Sequence, residues 1–290
     1  MEKIFHPLLE GSFDFHVHSS PSIFERKQND WEVIADAIEA QMGGLVLKSH
    51  ESSTVERAYL INEVKTSIQV FGGIVLNNHV GGLNPYAVET ALKMGGKIVW
   101  FPTISTRQHH HYFSNKHTKL FNGDPNAVNS TINIQQNGKL TNEAIEILYQ
   151  IKEFDAVLAT GHLSLEETHI LIKYALDIGV EKILIQHADM GISKIPMEDQ
   201  LYFASKGCII EKCYLACSSD FHDLSIDDMA NTINKIGYKN CILVTDYGQP
   251  HNEPPVHAFN RFVEELLSAG INEQQLTWMI KNNPKSLLGL

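Results

Sequence analysis

The chain has 290 residues, 43% hydrophobic and 20% charged, the make-up of an ordinary globular protein rather than a disordered or fibrous one. A net charge of −11 with no run rich in Lys or Arg argues against nucleic acid or an anionic membrane surface as the main partner. No apolar stretch approaches the roughly 20 residues that span a bilayer, and Met1–Glu10 lacks the basic-then-apolar pattern of a signal peptide. Cys208, Cys213, Cys217 and Cys241 do not have zinc-knuckle or disulfide spacing. They read as reduced thiols in and near buried strands of a cytoplasmic protein. Histidine, at 15 copies, is the count that suggests chemistry.

Taken in order, short apolar runs alternate with amphipathic ones. Strand-like runs occupy 13–17, 44–47, 70–76, 97–101, 156–159, 182–185, 207–210 and 241–244. They are near-continuously apolar with β-branched or aromatic content, as parallel strands buried on both faces are. Helical spacing covers 31–42, stopping at Gly43-Gly44, and 84–94, entered through Asn84-Pro85 and stopping at Gly95-Gly96. It continues over 165–178, behind Ser164 as N-cap and ahead of Gly179, then 227–236 and 260–269. Eight strand–helix repeats in one chain predict an α/β fold, a (β/α)8 TIM barrel forming a single domain over 1–290. One interval breaks the rhythm. Residues 104–140 are polar and weakly periodic, and they read as a long loop over the barrel mouth after the fourth strand.

Barrel enzymes carry their chemistry at the C-terminal strand ends, so the residues there are the test. The first strand ends Asp14-Phe15-His16-Val17-His18, and strand alternation puts both imidazoles on one face, toward the lumen. The second ends Lys48-Ser49-His50, with Lys48 and His50 sharing a face. The fifth, sixth and eighth end in His162, His187 and Asp246. Any one such histidine reads as a hydrogen-bonded core residue. Five polar groups at matching strand ends, converging on one point, cost free energy unless something satisfies them. Imidazole with carboxylate suits Zn²⁺, foremost, or Mn²⁺, Fe²⁺ or Co²⁺, rather than Ca²⁺ or Mg²⁺.

HxH on the first strand, His on the fifth and sixth and Asp on the eighth resemble the amidohydrolase superfamily, from Asp14 to the closing Asn283-Pro284-Lys285-Ser286-Leu287-Leu288-Gly289-Leu290. The stretches 46–50, 71–77, 80–85 and 245–250 resemble a bacterial branch of amidohydrolase-related proteins. The resemblance implies a metal-dependent hydrolase acting on a C–N, lactone or phosphoester bond of a small molecule. Its metal ligands would be His16, His18, His162, His187 and Asp246, and a homo-oligomer would be unsurprising. Binuclear members bridge two metals with a carboxylated Lys or a Glu at the end of the fourth strand, where this chain has Thr103. Either Lys48 substitutes, carboxylated or holding a substrate oxyanion, or His50 holds a second metal. The latter resembles the polymerase-and-histidinol-phosphatase phosphoesterases, but Asn77 stands roughly where they place a Glu. A mononuclear decarboxylase or hydratase, and a barrel that binds metal or ligand without turnover, are the other readings.

In the hydrolase reading Asp246 both ligates metal and accepts the water's proton, and the metal, with Lys48 or His187 nearby, stabilises the oxyanion; Asp246 could instead be a helix N-cap or a structural carboxylate. Lys48 could instead pair with Asp14. Glu211 is a candidate for a second metal or for substrate, or a partner of a nearby Lys or Arg. Arg107 and His109–His111, His110 in particular, could clamp an anionic group from the long loop, or simply be solvated. Gly81-Gly82 is a place for close substrate approach or a plain turn. The contiguous Ser218-Ser219-Asp220-Phe221-His222 has the residue types of a triad but no nucleophile-elbow motif, and reads as loop.

Overall fold

Parallel pairing runs strand to strand around a closed circle in the computed structural model, which describes residues 5–114 and 131–290. The order is β1 (Phe13–Val17), α1 (Asp30–Glu39), β2 (Gly44–Leu47), α2 (Val55–Glu63), β3 (Gln69–Phe71), β4 (Gly73–Val75), α3 (Pro85–Lys93), β5 (Ile98–Trp100) and α4 (Arg107–Ser114). A hairpin of β6 (Gln135–Gln136) and β7 (Lys139–Leu140) leads to α5 (Asn142–Glu153), β8 (Val157–Ala159), α6 (Leu165–Ile178), β9 (Ile183–Ile185), α7 (Met197–Ser205) and β10 (Ile209–Cys213). Then come α8 (Ile226–Ile236), β11 (Cys241–Val244), α9 (Pro255–Ser268), α10 (Glu273–Thr277) and α11 (Asn283–Leu288).

Two arcs make the wall, β1-β2-β3 and β11-β10-β9-β8-β5-β4. They join in two places. The run predicted as one third strand is split at Gly72 into β3, which pairs with β2, and β4, which pairs with β5. The cause is Thr54: its hydroxyl accepts Gly73 N–H at 3.0 Å and donates to the Leu47 carbonyl at 2.7 Å. A side chain at Gly72 would run into the Thr54 carbonyl. The other join is between the first and last strands, where His18 N–H donates to Tyr247 O and Asp246 N–H to His16 O, each 2.9 Å. Counting β3 and β4 as one position, the circle has the eight expected, its strands buried except at Gln69 and Phe71 of β3 and at Ile209, which opens β10.

Helix ends follow the expected chemistry. Ser164 caps α6 reciprocally with Glu167, and Gly179 ends it at φ 91°. The segment 104–140 is more structured than a loop: α4 and an antiparallel hairpin lie within it. Asn137 and Gly138 make that hairpin turn at φ 53° and 73°, the conformation an Asn-Gly pair favours. Residues 115–130 of the predicted loop lie outside the described part. At the barrel's other end, Asn283 Nδ2 donates to the Cys241 carbonyl at 2.7 Å, tying α11 to the foot of β11. No described helix is long and apolar enough to cross a membrane.

Candidate metal centre

The site is assembled around Asp246. Its Oδ1 lies 2.9 Å from His16 Nε2 and 3.0 Å from His18 Nε2, and its Oδ2 lies 3.7 Å from His187 Nε2. The register of β1 on β2 shifts between Asp14 and Val17, the stretch that contains His16. Asp246 and His187 each sit two residues beyond their strands with positive φ, 57° and 52°, which turns both side chains into the mouth. Asp14 holds this end of the barrel, accepting Thr245 Oγ1–H at 2.5 Å and His16 N–H at 3.1 Å. Burial lifts its carboxyl to about 7 despite those bonds.

A second carboxylate lies beneath. Glu211 Oε1 is 3.1 Å from His187 Nδ1 and Oε2 is 3.5 Å from His16 Nδ1. Burial opposes ionisation there, yet the two imidazoles bring Glu211 down to about 2. Burial likewise opposes ionisation of Asp246, but His16 and His18 hold it well below the usual carboxylate range. Burial drives His18 and His162 well below their ordinary value and lowers His187. Against its burial, His16 moves the other way, raised by Asp246 and Glu211, so the site presents ionised carboxylates to three rings held neutral and to one that a metal would have to deprotonate.

Hydrogen bonding sharpens this. His18 Nδ1 lies 2.9 Å from the Lys48 carbonyl. A carbonyl only accepts, so that nitrogen carries the proton and a neutral ring turns its Nε2 lone pair toward Asp246 Oδ1. Two acceptors 3.0 Å apart repel unless a cation or a proton lies between them, and burial disfavours the imidazolium. His162 repeats the theme: Nδ1 is 3.0 Å from His109 Nδ1, while Nε2 is buried without a hydrogen-bond partner. Its ring is 5.1 Å from that of His187. The donors present fit a divalent cation held by imidazole and carboxylate. Among the described residues, three sets of donors have ligand atoms within 4.8 Å of one another: His16, His18 and Asp246; His16, His187 and Glu211; and His187, Cys213 and Asp246.

Several expectations change. Lys48 does not pair with Asp14: its Nζ is 3.0 Å from His16 Nε2 and 5.6 Å from the Trp100 ring centre, and burial lowers its pKa to about 8. Glu211 pairs with no Lys or Arg among the described residues, because β10 extends to Cys213 and alternation turns Glu211 and Cys213 inward. Lys212 points out instead, to Asp189 at 2.7 Å. His50 stacks on His18 at 4.9 Å, with Nδ1 2.9 Å from Thr103 Oγ1. Asn77 donates to that same oxygen at 2.8 Å, so a hydrogen-bonded Thr103–Asn77–His50 network stands where a bridging carboxylate was sought. Arg107 is exposed and His110 half-buried on α4, while His109 is the residue of that helix packed on the site. Gly81 and Gly82 form a turn at φ 89° and 71°. Ser218 Oγ–H donates to Leu215 O, and Asp220 pairs with His251, so no triad forms.

Sequence reasoning missed Cys213 and, close to His18, Arg26, and it named His109 only as one of a loop group in which His110 was favoured. Cys213 was legible only with the full length of β10, and His109 only with α4 recognised as a helix. Arg26 lies in the loop after β1, where composition carries no periodic signal.

The class of fold is that of the amidohydrolase barrels. An amidohydrolase from Pseudomonas aeruginosa superposes with a TM-score of 0.66 at 12% identity over 98% of each chain. A putative 2-pyrone-4,6-dicarboxylic acid hydrolase from Pseudomonas putida gives 0.63 at 10% identity, over 96% of this chain and 97% of that one. The phosphotriesterase homology protein from Escherichia coli gives 0.61 at 13%, over 97% and 99%. No curated protein matches the chain in sequence. The profile of a family of unknown function, DUF6282, matches residues 11–211, and the chain belongs to that family.

Proposed function

We propose that the protein is a metal-dependent hydrolase of small molecules, with a divalent cation, zinc foremost, held by His16, His18, His187 and Asp246, and with His162 completing the set. The observation that carries this is the His18–Asp246 contact, an imidazole lone pair facing a carboxylate oxygen at 3.0 Å in a buried site. A cation bound there supplies Lewis acidity and lowers the pKa of a coordinated water from about 16 towards 7. Asp246 Oδ2, the oxygen not shared by His16 and His18, accepts a proton from the attacking water. Lys48 Nζ donates a hydrogen bond to the oxygen that gains charge, and its burial makes that bond strong. Glu211 lies 3.5 Å and 3.1 Å from Nδ1 of His16 and His187, and its charge favours the tautomer with the proton on Nδ1, which leaves Nε2 of each ring an acceptor.

The bond broken is a C–N, lactone or phosphoester bond. A second reading, a mononuclear decarboxylase or hydratase, draws support from Thr103, whose hydroxyl is engaged by Asn77 and His50 and leaves the fourth strand without a bridging ligand. Elemental analysis with an amide, lactone and phosphoester panel tests the first reading. Purified protein should hold stoichiometric metal and turn over one class. His16→Ala with His18→Ala should lose both while keeping its far-ultraviolet circular dichroism. Full metal occupancy in that double variant would refute the assignment of ligands.

A further inference from the structure

The loop between β1 and α1 crosses the barrel mouth and is held from several sides. Lys27 N–H donates to Gly248 O at 2.8 Å, Ser20 N–H to Gln28 O at 3.0 Å, and Ile23 N–H to Glu51 Oε1 at 3.0 Å. Arg57 anchors its two ends through Asp30, Ser19 and the Pro21 carbonyl. Within this fixed loop Arg26 is half-buried. Its Nε donates to Ser22 Oγ at 3.3 Å and its guanidinium lies 5.5 Å from the centre of the Phe24 ring. Phe24 stands edge-on to His50 at 6.2 Å, His50 stacks on His18 at 4.9 Å, and His18 touches Asp246.

Arg57 and Arg261 are both spent on carboxylates, Asp30 and Glu253. Arg26 forms no ion pair among the described residues, and its two terminal nitrogens make no hydrogen bond there. Glu51 and Asp246 attract its charge from beyond ion-pair distance, and a guanidinium withdrawn from water with its terminal nitrogens unbonded costs free energy that a ligand can recover. The chain as a whole is strongly acidic, so an anionic substrate needs such a local attractor.

We propose that Arg26 is the anion subsite of this pocket, gripping an oxyanion of the substrate, a carboxylate or a phosphate, in bidentate fashion while the scissile bond sits at Asp246. The substrate is then a small acid, oriented from the β1–α1 loop, and Phe24 braces the guanidinium plane against His50. This rests on the metal-centre reading, because the cation fixes the other end of the substrate.

Hydroxamic acids, which chelate a site metal, are suitable probes on the metal-loaded full chain. Butyrohydroxamic acid is the neutral one. The monohydroxamates of succinic and glutaric acid add a carboxylate, and 3-phosphonopropionohydroxamic acid adds a phosphonate. Calorimetry should show the best anionic probe binding about tenfold to a hundredfold tighter than the neutral one. Which anion shows the larger gap tells carboxylate from phosphate. In Arg26→Gln the gap should close with metal content and neutral-probe affinity unchanged, and Arg26→Lys should keep part of it. Equal affinities in the parent protein, or a gap that survives Arg26→Gln, would overturn the subsite. Protein that takes up no metal and binds no hydroxamate would overturn the metal centre and the subsite with it, and elemental analysis tells that failure from the first.

Discussion

His187 and Asp246 occupy the left-handed backbone region, which side chains other than Gly, Asn and Asp rarely visit. Each follows its strand by two residues, and each donates to the candidate centre. The same left-handed turn at matching positions on two strands is what aims both side chains at one point. Below them Glu211 bridges Nδ1 of His16 and His187. Carboxylates in this position fix ring tautomer and orientation, and their loss typically weakens metal affinity about tenfold to a hundredfold. Glu211→Gln keeps the shape but turns an amide N–H toward one ring N–H. It should lower metal affinity by that factor in competition against a chromogenic chelator, with secondary structure unchanged. Unchanged affinity would mean that Glu211 only fills space beneath the rings.

At the scale of elements, apolar runs and their caps carried most of the fold in readable form. α6 matches its expected span of 165–178, because Ser164 and Gly179 mark both ends locally. β3 and β4 were not legible as two strands, since their break depends on Thr54, distant in sequence and reaching in from the loop before α2. The placement of His16, His18, His187 and Asp246 followed from strand parity and strand ends. The partners of Lys48 and His50 did not, because register between strands decides which inward side chains meet. Asn283 shows how a motif gains a reason. Its amide donates at 2.7 Å to Cys241 O and at 3.1 Å to Lys239 O, closing the barrel floor at the strand end that serves stability rather than chemistry. Asn283→Ala leaves those carbonyls without this donor and should cost about 1–3 kcal/mol. Urea unfolding would read this as a lower midpoint, with metal stoichiometry unchanged.

For the whole molecule, the centre lies on the seam where the chain's first strand meets its last. β1 and β11 share no regular ladder; an isolated bridge at Val17 and Tyr247, two backbone bonds near it and the Asp14 carboxylate on Thr245 hold them together. A cation between His16, His18 and Asp246 would therefore join residues more than 200 positions apart and act as a clasp on the circle. Binding to the folded state alone stabilises it by RT ln(1 + [M]/Kd), about 2.7 kcal/mol at a hundredfold excess over Kd, which raises the melting temperature by roughly 5 °C or more in a chain this size. The gain should also be local. Amide exchange of His18 and Asp246, whose N–H groups donate to backbone carbonyls across the seam, should slow on metal loading far more than that of Leu158 and Thr160, which bond across to the β9 strand. His16→Ala with His18→Ala should abolish both the thermal shift and the difference in exchange. Uniform slowing around the circle would instead place the bound metal away from the seam, since a clasp protects first what it closes.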